Sequence, residues 1–245
     1  MVPIDFLLSG MRKFRRHKGR PLVTLSYAQS LDGSIAVCRG QSCALSSVDS
    51  QILTHQLRAA HDSILVGIGT IMADNPQLTV RLAEGEDPLP VVLDSRLRLP
   101  LDSNLLKNKI LPLIATTFAA CPKKQKDLEE SGARIIRVAD DDRGWVDLNS
   151  LLRALADIGI DSVMVEGGAR VITSFLSQRL VDRMVITITP KILGGLHAVE
   201  KPLIQYNDGG SGQNGLPELS DFGYERVGSD LVFWSALSVE EKCIA

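Results

Sequence analysis

Along most of its 245 residues this chain alternates short apolar runs with segments of helical period, and that alternation limits the fold more than any other feature. LVTLSYA (22–28), SILVG (63–67), PVVLD (90–94), ILPLIAT (110–116), ARIIRV (133–138), VMV (163–165) and RMVITITP (183–190) read as strands. Between them, SSVDSQILTHQLRAA (46–60) reads as a helix. Ser46 and Asp49 stand at capping-box spacing, and Val48, Ile52, Leu53 and Leu57 share a face. TIMAD supplies about one helical turn before Asn75-Pro76 stops it. A polar helix covers 122–131, another closes at Gly159 after 147–159, and Val171, Ile172, Phe175 and Leu176 mark a third that buries one side. FGYERV and LVFWSAL, joined at Gly228-Ser229-Asp230, read as a hairpin. Strands separated by helices pair in parallel, because the crossover carries each strand back in the same direction. The expectation is one α/β domain, a largely parallel central sheet with helices on both faces and a C-terminal antiparallel hairpin at one edge.

Composition excludes several classes. At 44% hydrophobic the chain can bury a large core. A formal net charge of -2 gives no field that calls for nucleic acid. Cys38, Cys43, Cys121 and Cys243 form no C-x-x-C and have no histidine spaced to join them. Neither a disulfide scaffold nor a metal site is expected, and reduced thiols in the cytoplasm are the default. No apolar run approaches the roughly 18–20 residues that cross a bilayer. MRKFRRHKGR (11–20) alone is biased, basic without an acid. An RNA-binding arm or the end of a targeting leader would use such a run. A solvated, poorly ordered extension over 1–20 is the plainer expectation, leaving a single domain over 21–245.

In open α/β sheets ligands sit beyond the carboxyl ends of strands, and three such ends carry chemistry. After VMV come Glu166, Gly167, Gly168 and Ala169, then a helix whose first N–H groups would face an arriving anion. Gly-Gly before a helix is common, so a plain turn competes with a phosphate floor. In LVGIGTIMADNPQLTVR (65–81), Gly67 and Gly69 open the chain, Thr70 offers a hydroxyl and Asp74 follows one turn later. A tight loop fixed by Asp74 explains those residues equally well. VVLDSRLRLP (91–100) offers Asp94, an acid suited to a ribose 2′-OH, beside Ser95 and Arg96, which suit a 2′-phosphate. That segment leaves both nicotinamide dinucleotides open.

Taken together, YAQSLDGSIA (27–36), LRAAHDSILVGIGTIMADNPQLTVR (57–81), VVLDSR (91–96), VMVEGGA (163–169) and TPKILGG (189–195) resemble the riboflavin-biosynthesis reductase family. These are the reductase domain of the bifunctional RibD-type enzymes and their fungal and archaeal counterparts. Five blocks in one order, within 21–235, are more specific than any single glycine motif. The resemblance implies a dihydrofolate-reductase-like fold and a homodimer. It also implies NADPH-dependent reduction of a ribosylamino-pyrimidine 5′-phosphate, with hydride reaching C1′ of an open-chain imine. Thr70 and Asp74 would lie along the cofactor near the reaction centre, with Ser95 and Arg96 on the adenosine side. Gly167, Gly168 and Ala169 would receive the pyrophosphate, and Ala28 and Ala44 would line the nicotinamide end. Ser42, Arg58 and Arg81 would meet the substrate's phosphate, with Leu78 beside the substrate. Glu166 would bind polar groups of its sugar or pyrimidine, and Asp74 and Glu166 are the catalytic candidates.

The chain departs from the bifunctional pattern in two ways. Many such relatives carry lysine where this chain has Ser26, which removes any acid role of that lysine here. Neither H-x-E nor P-C-x-x-C occurs, so no zinc deaminase is encoded in these residues. The favoured substrate is the 2,5-diamino compound, reduced before deamination. Competing readings are the deaminated compound, another pterin- or pyrimidine-like substrate, and a non-catalytic nucleotide-binding subunit. Asp32-Gly33 in SLDG reads as a structural turn, and NDGGSGQNG (207–215) as an excursion or lid.

Overall fold

The computed structural model describes residues 2–41, 43–203 and 218–238. Two helices, α1 (Ile4–Leu8) and α2 (Met11–Lys18), precede β1 (Leu22–Ser30), β2 (Ser34–Ala36), α3 (Val48–Ala60), β3 (Ser63–Gly67), α4 (Ile68–Asp74) and β4 (Leu89–Leu93). After a 3₁₀ turn at Asn104–Lys107 come β5 (Leu113–Thr117), α5 (Pro122–Glu130), β6 (Arg134–Val138), α6 (Leu148–Asp157), β7 (Ser162–Val165) and α7 (Ala169–Ser177). The chain then forms β8 (Arg183–Thr189), β9 (Leu196–His197), β10 (Glu218–Val227) and β11 (Asp230–Ser238). Nine strands make one sheet in the order β10-β11-β8-β1-β7-β3-β4-β5-β6, and β2 pairs with β9 in a small second ladder. From β8 to β6 every pair is parallel, whereas β11 runs antiparallel to β8 and β10 antiparallel to β11. The expected architecture holds.

The pleat divides the core. Val163 and Val165 join Val23, Leu25, Leu65 and Val91 beneath α6 and α7, whose Leu151, Leu155, Ile172 and Phe175 are fully covered. Met164, between those valines, faces the other way and packs with Val185, Val232, Leu53 and Leu57 of α3, and Leu7 of α1. Further along that sheet, Ile64, Val66, Val92 and Ile114 meet Ile68 and Ile71 of α4 and Leu128 of α5. Both faces of the central strands are buried, which is why they read as continuous apolar runs.

The local expectations need three corrections. Ser47, not Ser46, caps α3, its Oγ accepting from the Ser50 N–H at 3.4 Å, with Asp49 in the first turn. The Ser47 N–H is drawn outward to Asp230 Oδ2 at 2.8 Å, which fixes where the helix starts. Helix α4 runs seven residues, longer than one turn, and ends at Asn75 in the left-handed region (φ 41°). The basic N-terminal segment is ordered against the body. Val2 and Leu7 are buried, Arg15 pairs with Asp161 and donates to Ala156 O at 3.0 Å, and Arg20 grips Asp182 with two bonds of 2.7 and 2.9 Å. Asp182 also accepts from the Val23 N–H, so that pair ties the segment to β1. No helix among the described residues is long and apolar enough to cross a membrane.

His61, buried at the end of α3, gives a pH signature. Its Nδ1 lies 2.6 Å from Leu57 O and its Nε2 2.8 Å from Thr24 Oγ1. A carbonyl only accepts, so Nδ1 carries the proton and Nε2 accepts from the hydroxyl. Burial holds the ring's pKa below the usual histidine value. The unfolded ring therefore takes its proton first, near pH 6.5. Its contribution to stability is complete above about pH 6.5 and is lost as pH falls from there through the folded pKa. Resistance to urea should fall on acidification below about pH 6.5, and less so for His61→Asn, which cannot charge. Equal acid sensitivity in the two proteins would contradict this.

Candidate active site

A cleft of about 1200 Å³ opens beyond the carboxyl ends of β1, β3, β4 and β7. Connectivity puts it there. Strand β7 returns to lie between β1 and β3, whereas β8 crosses to the far side of β1, so neighbouring connections diverge. Ala28, Ala44, Thr70, Asp74, Ser95, Arg96, Gly167, Gly168 and Ala169 all line the cleft, as do Arg58, Arg81 and Glu166. Ser26, buried midway along β1, is also on the wall. Two expected residues are not among them. Ser42 lies outside the described residues, as does the 207–215 loop. Leu78 is 3% exposed, with a positive φ of 57°, and its side chain packs in the core with Ile68 and Ile71. The left-handed backbone there turns the side chain inward, away from the cleft.

The two glycines of the turn after β7 differ in what they face. The Glu166 N–H donates to Leu65 O at 3.0 Å and extends the parallel ladder by one residue. A Cβ on Gly167 would stand 2.4 Å from the Val171 Cβ, so that glycine is required by packing. A Cβ on Gly168 would meet only the Thr70 hydroxyl, at 3.8 Å. Gly168 is the N-cap of α7 and leaves bare backbone facing the cleft.

Arg58 does not stand as a free cation. Its Nε donates to Glu166 Oε1 at 2.7 Å, Nη2 to Oε2 at 2.6 Å, and Nη1 to Thr79 O at 3.1 Å. The side chains are 13% and 16% exposed, so this two-pronged pair is sheltered at the cleft wall. Thr79 joins it to Arg81, whose Nη1 donates to Thr79 Oγ1 at 2.9 Å and to Gln77 Oε1 at 3.2 Å. The Arg81 main-chain N–H donates to Nδ1 of His55, at 3.0 Å. Arg58, Glu166, Thr79, Arg81 and His55 are thus one connected group.

A second group of cations lies past β4. The Ser95 Oγ accepts from the Val146 N–H at 3.0 Å, which leaves the hydroxyl proton to donate. Arg96 is exposed where the cleft adjoins a smaller cavity of about 410 Å³ that Ser95 and Lys124 also line. Asp94, the alternative partner for a ribose, is fully buried and absent from both cavity walls. Its Oδ2 accepts from the Arg98 and Leu99 N–H groups, closing the turn, and burial raises its pKa. Asp94 holds the loop and Ser95 faces out.

Several wall residues were not singled out from the sequence. His55 precedes Arg58 by three residues on α3, a spacing that puts both on one helical face and could have flagged it. Arg98 follows Arg96 at the cleft. Trp145 lies between Arg143 and Arg170, their guanidinium carbons 5.4 and 4.9 Å from its ring centre. Tyr27 is pushed up to about 12 by burial and stays protonated. Asp32 serves the turn expected of it. It accepts from Ser30 and Ser34 hydroxyls and from the Leu193 and Gly194 N–H groups, which hold it below the usual carboxylate range. These bonds tie the SLDG and KILGG segments together.

Comparison with known proteins is consistent with this geometry. The RibD C-terminal domain family matches residues 21–233. A 2,5-diamino-6-ribosylamino-4(3H)-pyrimidinone 5′-phosphate reductase of Aquifex aeolicus is 38% identical over 181 residues, 72% of this chain and 80% of that protein. The riboflavin biosynthesis protein RibD of the same organism is 36% identical over 193 residues, 75% of this chain. The matched region spans only 52% of that longer relative. Among solved structures, the Saccharomyces cerevisiae riboflavin biosynthesis reductase superposes with a TM-score of 0.69 at 28% identity, covering 94% of this chain and all of that one.

Proposed function

This chain belongs to the RibD C-terminal domain family, and from that membership we propose that it is an NADPH-dependent reductase of riboflavin biosynthesis. Its substrate in this reading is 2,5-diamino-6-ribosylamino-4(3H)-pyrimidinone 5′-phosphate, whose ribosyl group it reduces to ribityl. One observation carries the reading: a single cleft joins the bare backbone at Gly168 to two separate groups of cations. A 2′-phosphorylated dinucleotide and a sugar phosphate bring anions for all three. A homodimer in the cytoplasm completes the proposal.

NADPH, when bound, supplies the hydride. The residues present suit it. Gly168, Ala169 and the first N–H groups of α7 would hold its pyrophosphate, beside the turn that Gly167 makes possible. Ser95, with its hydroxyl proton free, and exposed Arg96 would hold the 2′-phosphate. Ala28 and Ala44 keep the nicotinamide end open, and Thr70 adds a hydroxyl beside the floor. We assign Asp74 to holding or passing a proton at the sugar, and Arg81 to the substrate's phosphate. Glu166, steadied by Arg58, would accept from the pyrimidine's exocyclic amine. A site built around such an acceptor rejects the oxo analogue, which leaves that acceptor unpaired. The deaminated pyrimidine is the alternative substrate.

Two expected outcomes follow for the cofactor. Arg96→Ala should weaken NADPH binding by about tenfold or more and NADH little, since a charge-assisted bond contributes roughly 1.5–3 kcal/mol. Fluorescence titration of both cofactors checks this, and equal losses would remove Arg96 from the role. Gly168→Ala should weaken NADPH binding in a protein of normal melting temperature, whereas Gly167→Ala should destabilise the fold itself. Calorimetry beside the titration separates the two, and normal NADPH affinity in a folded Gly168→Ala protein would contradict the floor.

A further inference from the structure

We infer that His55 is an anchor of the substrate's phosphate, donating its Nε2–H to a phosphoryl oxygen while its Nδ1 holds the main chain of Arg81. The inference rests on the reading of the cleft as a sugar-phosphate reductase site. His55 is 6% exposed, yet it lines the cleft between Arg58 on its own helix and Arg81 on the facing loop. The Arg81 N–H can only donate, so Nδ1 at 3.0 Å is the acceptor. A neutral ring with a bare Nδ1 carries its proton on Nε2. The ring nitrogen left over is therefore a fixed donor, and no protein group among the described residues receives it. Arg58 has three of its N–H groups committed to Glu166 and Thr79, which leaves the phosphate corner with fewer free donors than the sequence suggested.

The surroundings keep the ring in this state. Burial is the largest influence, and the Arg58 and Arg81 charges add to it, outweighing Glu166 and Asp87 on the opposite side, so the pKa lies below the usual histidine value. A third cation between two arginines is disfavoured until a dianionic phosphate arrives. A neutral donor avoids that cost and still aims a proton at the anion. Protonation of Nδ1 would set it against the Arg81 N–H and loosen the loop that presents Arg81.

The test uses wild-type protein first, which removes any question of folding. With ¹⁵N-labelled histidine and arginine, ribose 5-phosphate should shift both the His55 Nε2 and the Arg81 guanidinium signals, with Nε2 protonated at neutral pH. If Arg81 responds and His55 does not, the inference is overturned while the phosphate site stands. If neither responds, the phosphate corner and the reductase reading built on it fall together. The kinetic arm uses His55→Asn, whose Oδ1 can still accept from the Arg81 N–H but which offers no donor at the Nε2 position. KM for the phosphorylated pyrimidine should rise about tenfold with kcat nearly unchanged. KM for the dephosphorylated compound and the affinity for NADPH should match wild type. A purely structural histidine would instead give wild-type KM in this variant, or equal losses with both compounds, and either result overturns the inference.

Discussion

Asp74→Asn is expected to lower kcat by about 10²–10⁴ with an unchanged or slightly higher melting temperature, because in the proposed mechanism it removes the group that handles a proton, and it removes no structural bond. Asp74 is the last residue of α4, exposed on the cleft wall, and nothing among the described residues bonds its carboxylate. An acid at a helix C-terminus opposes the helix dipole, so the fold gains nothing from its charge. The turn it was suspected of fixing is closed by Asn75, whose N–H bonds Ile71 O and whose side chain accepts from Asn104. A position that carries a charge against local preference fits a role in chemistry. Steady-state kinetics beside calorimetry decides it. A lowered melting temperature with near-normal turnover would make Asp74 structural.

Arg58→Ala should have two consequences at once, a loss of about 3 kcal/mol of stability and a severe loss of activity. Removing the guanidinium leaves Glu166 sheltered without a partner, and it frees Thr79 from one of its two arginines. The double variant Arg58→Met, Glu166→Gln removes both charges and should recover most of the stability while remaining inactive. Arg81→Ala should behave differently, raising KM for the phosphorylated substrate with little effect on folding, since its side-chain bonds are exposed. Urea titrations of the set, with substrate kinetics on each, check these outcomes. A fully stable Arg58→Ala protein would show that the pair contributes nothing to the fold.

The parallel sheet was legible because burial on both faces writes itself into sequence as uninterrupted apolar runs, as in SILVG and VMV. The cleft's location was legible for a related reason: strand ends followed by glycine and polar residues stand out against those runs. Other features depend on partners distant in sequence. Helix α2 buries no side chain, and the segment is held through Arg15 and Arg20 by Asp161 and Asp182, acids about 146 and 162 residues away. Neither a period nor a cap announces such a pairing. The same limit applies at Arg58, where the guanidinium was visible but its partner, 108 residues on, was assigned a separate task. Adjacent Asp94 and Ser95 could not be ranked until the turn turned one inward and the other outward.

The most direct measurement follows NADPH absorbance in purified protein offered each ribosylamino-pyrimidine 5′-phosphate in turn, diamino and deaminated, with the product identified by mass. NADPH should be consumed with the diamino compound, yielding a ribityl product two hydrogens heavier, at a kcat/KM clearly above that for the deaminated one. A clear preference for the deaminated compound would contradict the assignment of Glu166 to the exocyclic amine. No NADPH consumption with either compound would contradict the reductase itself.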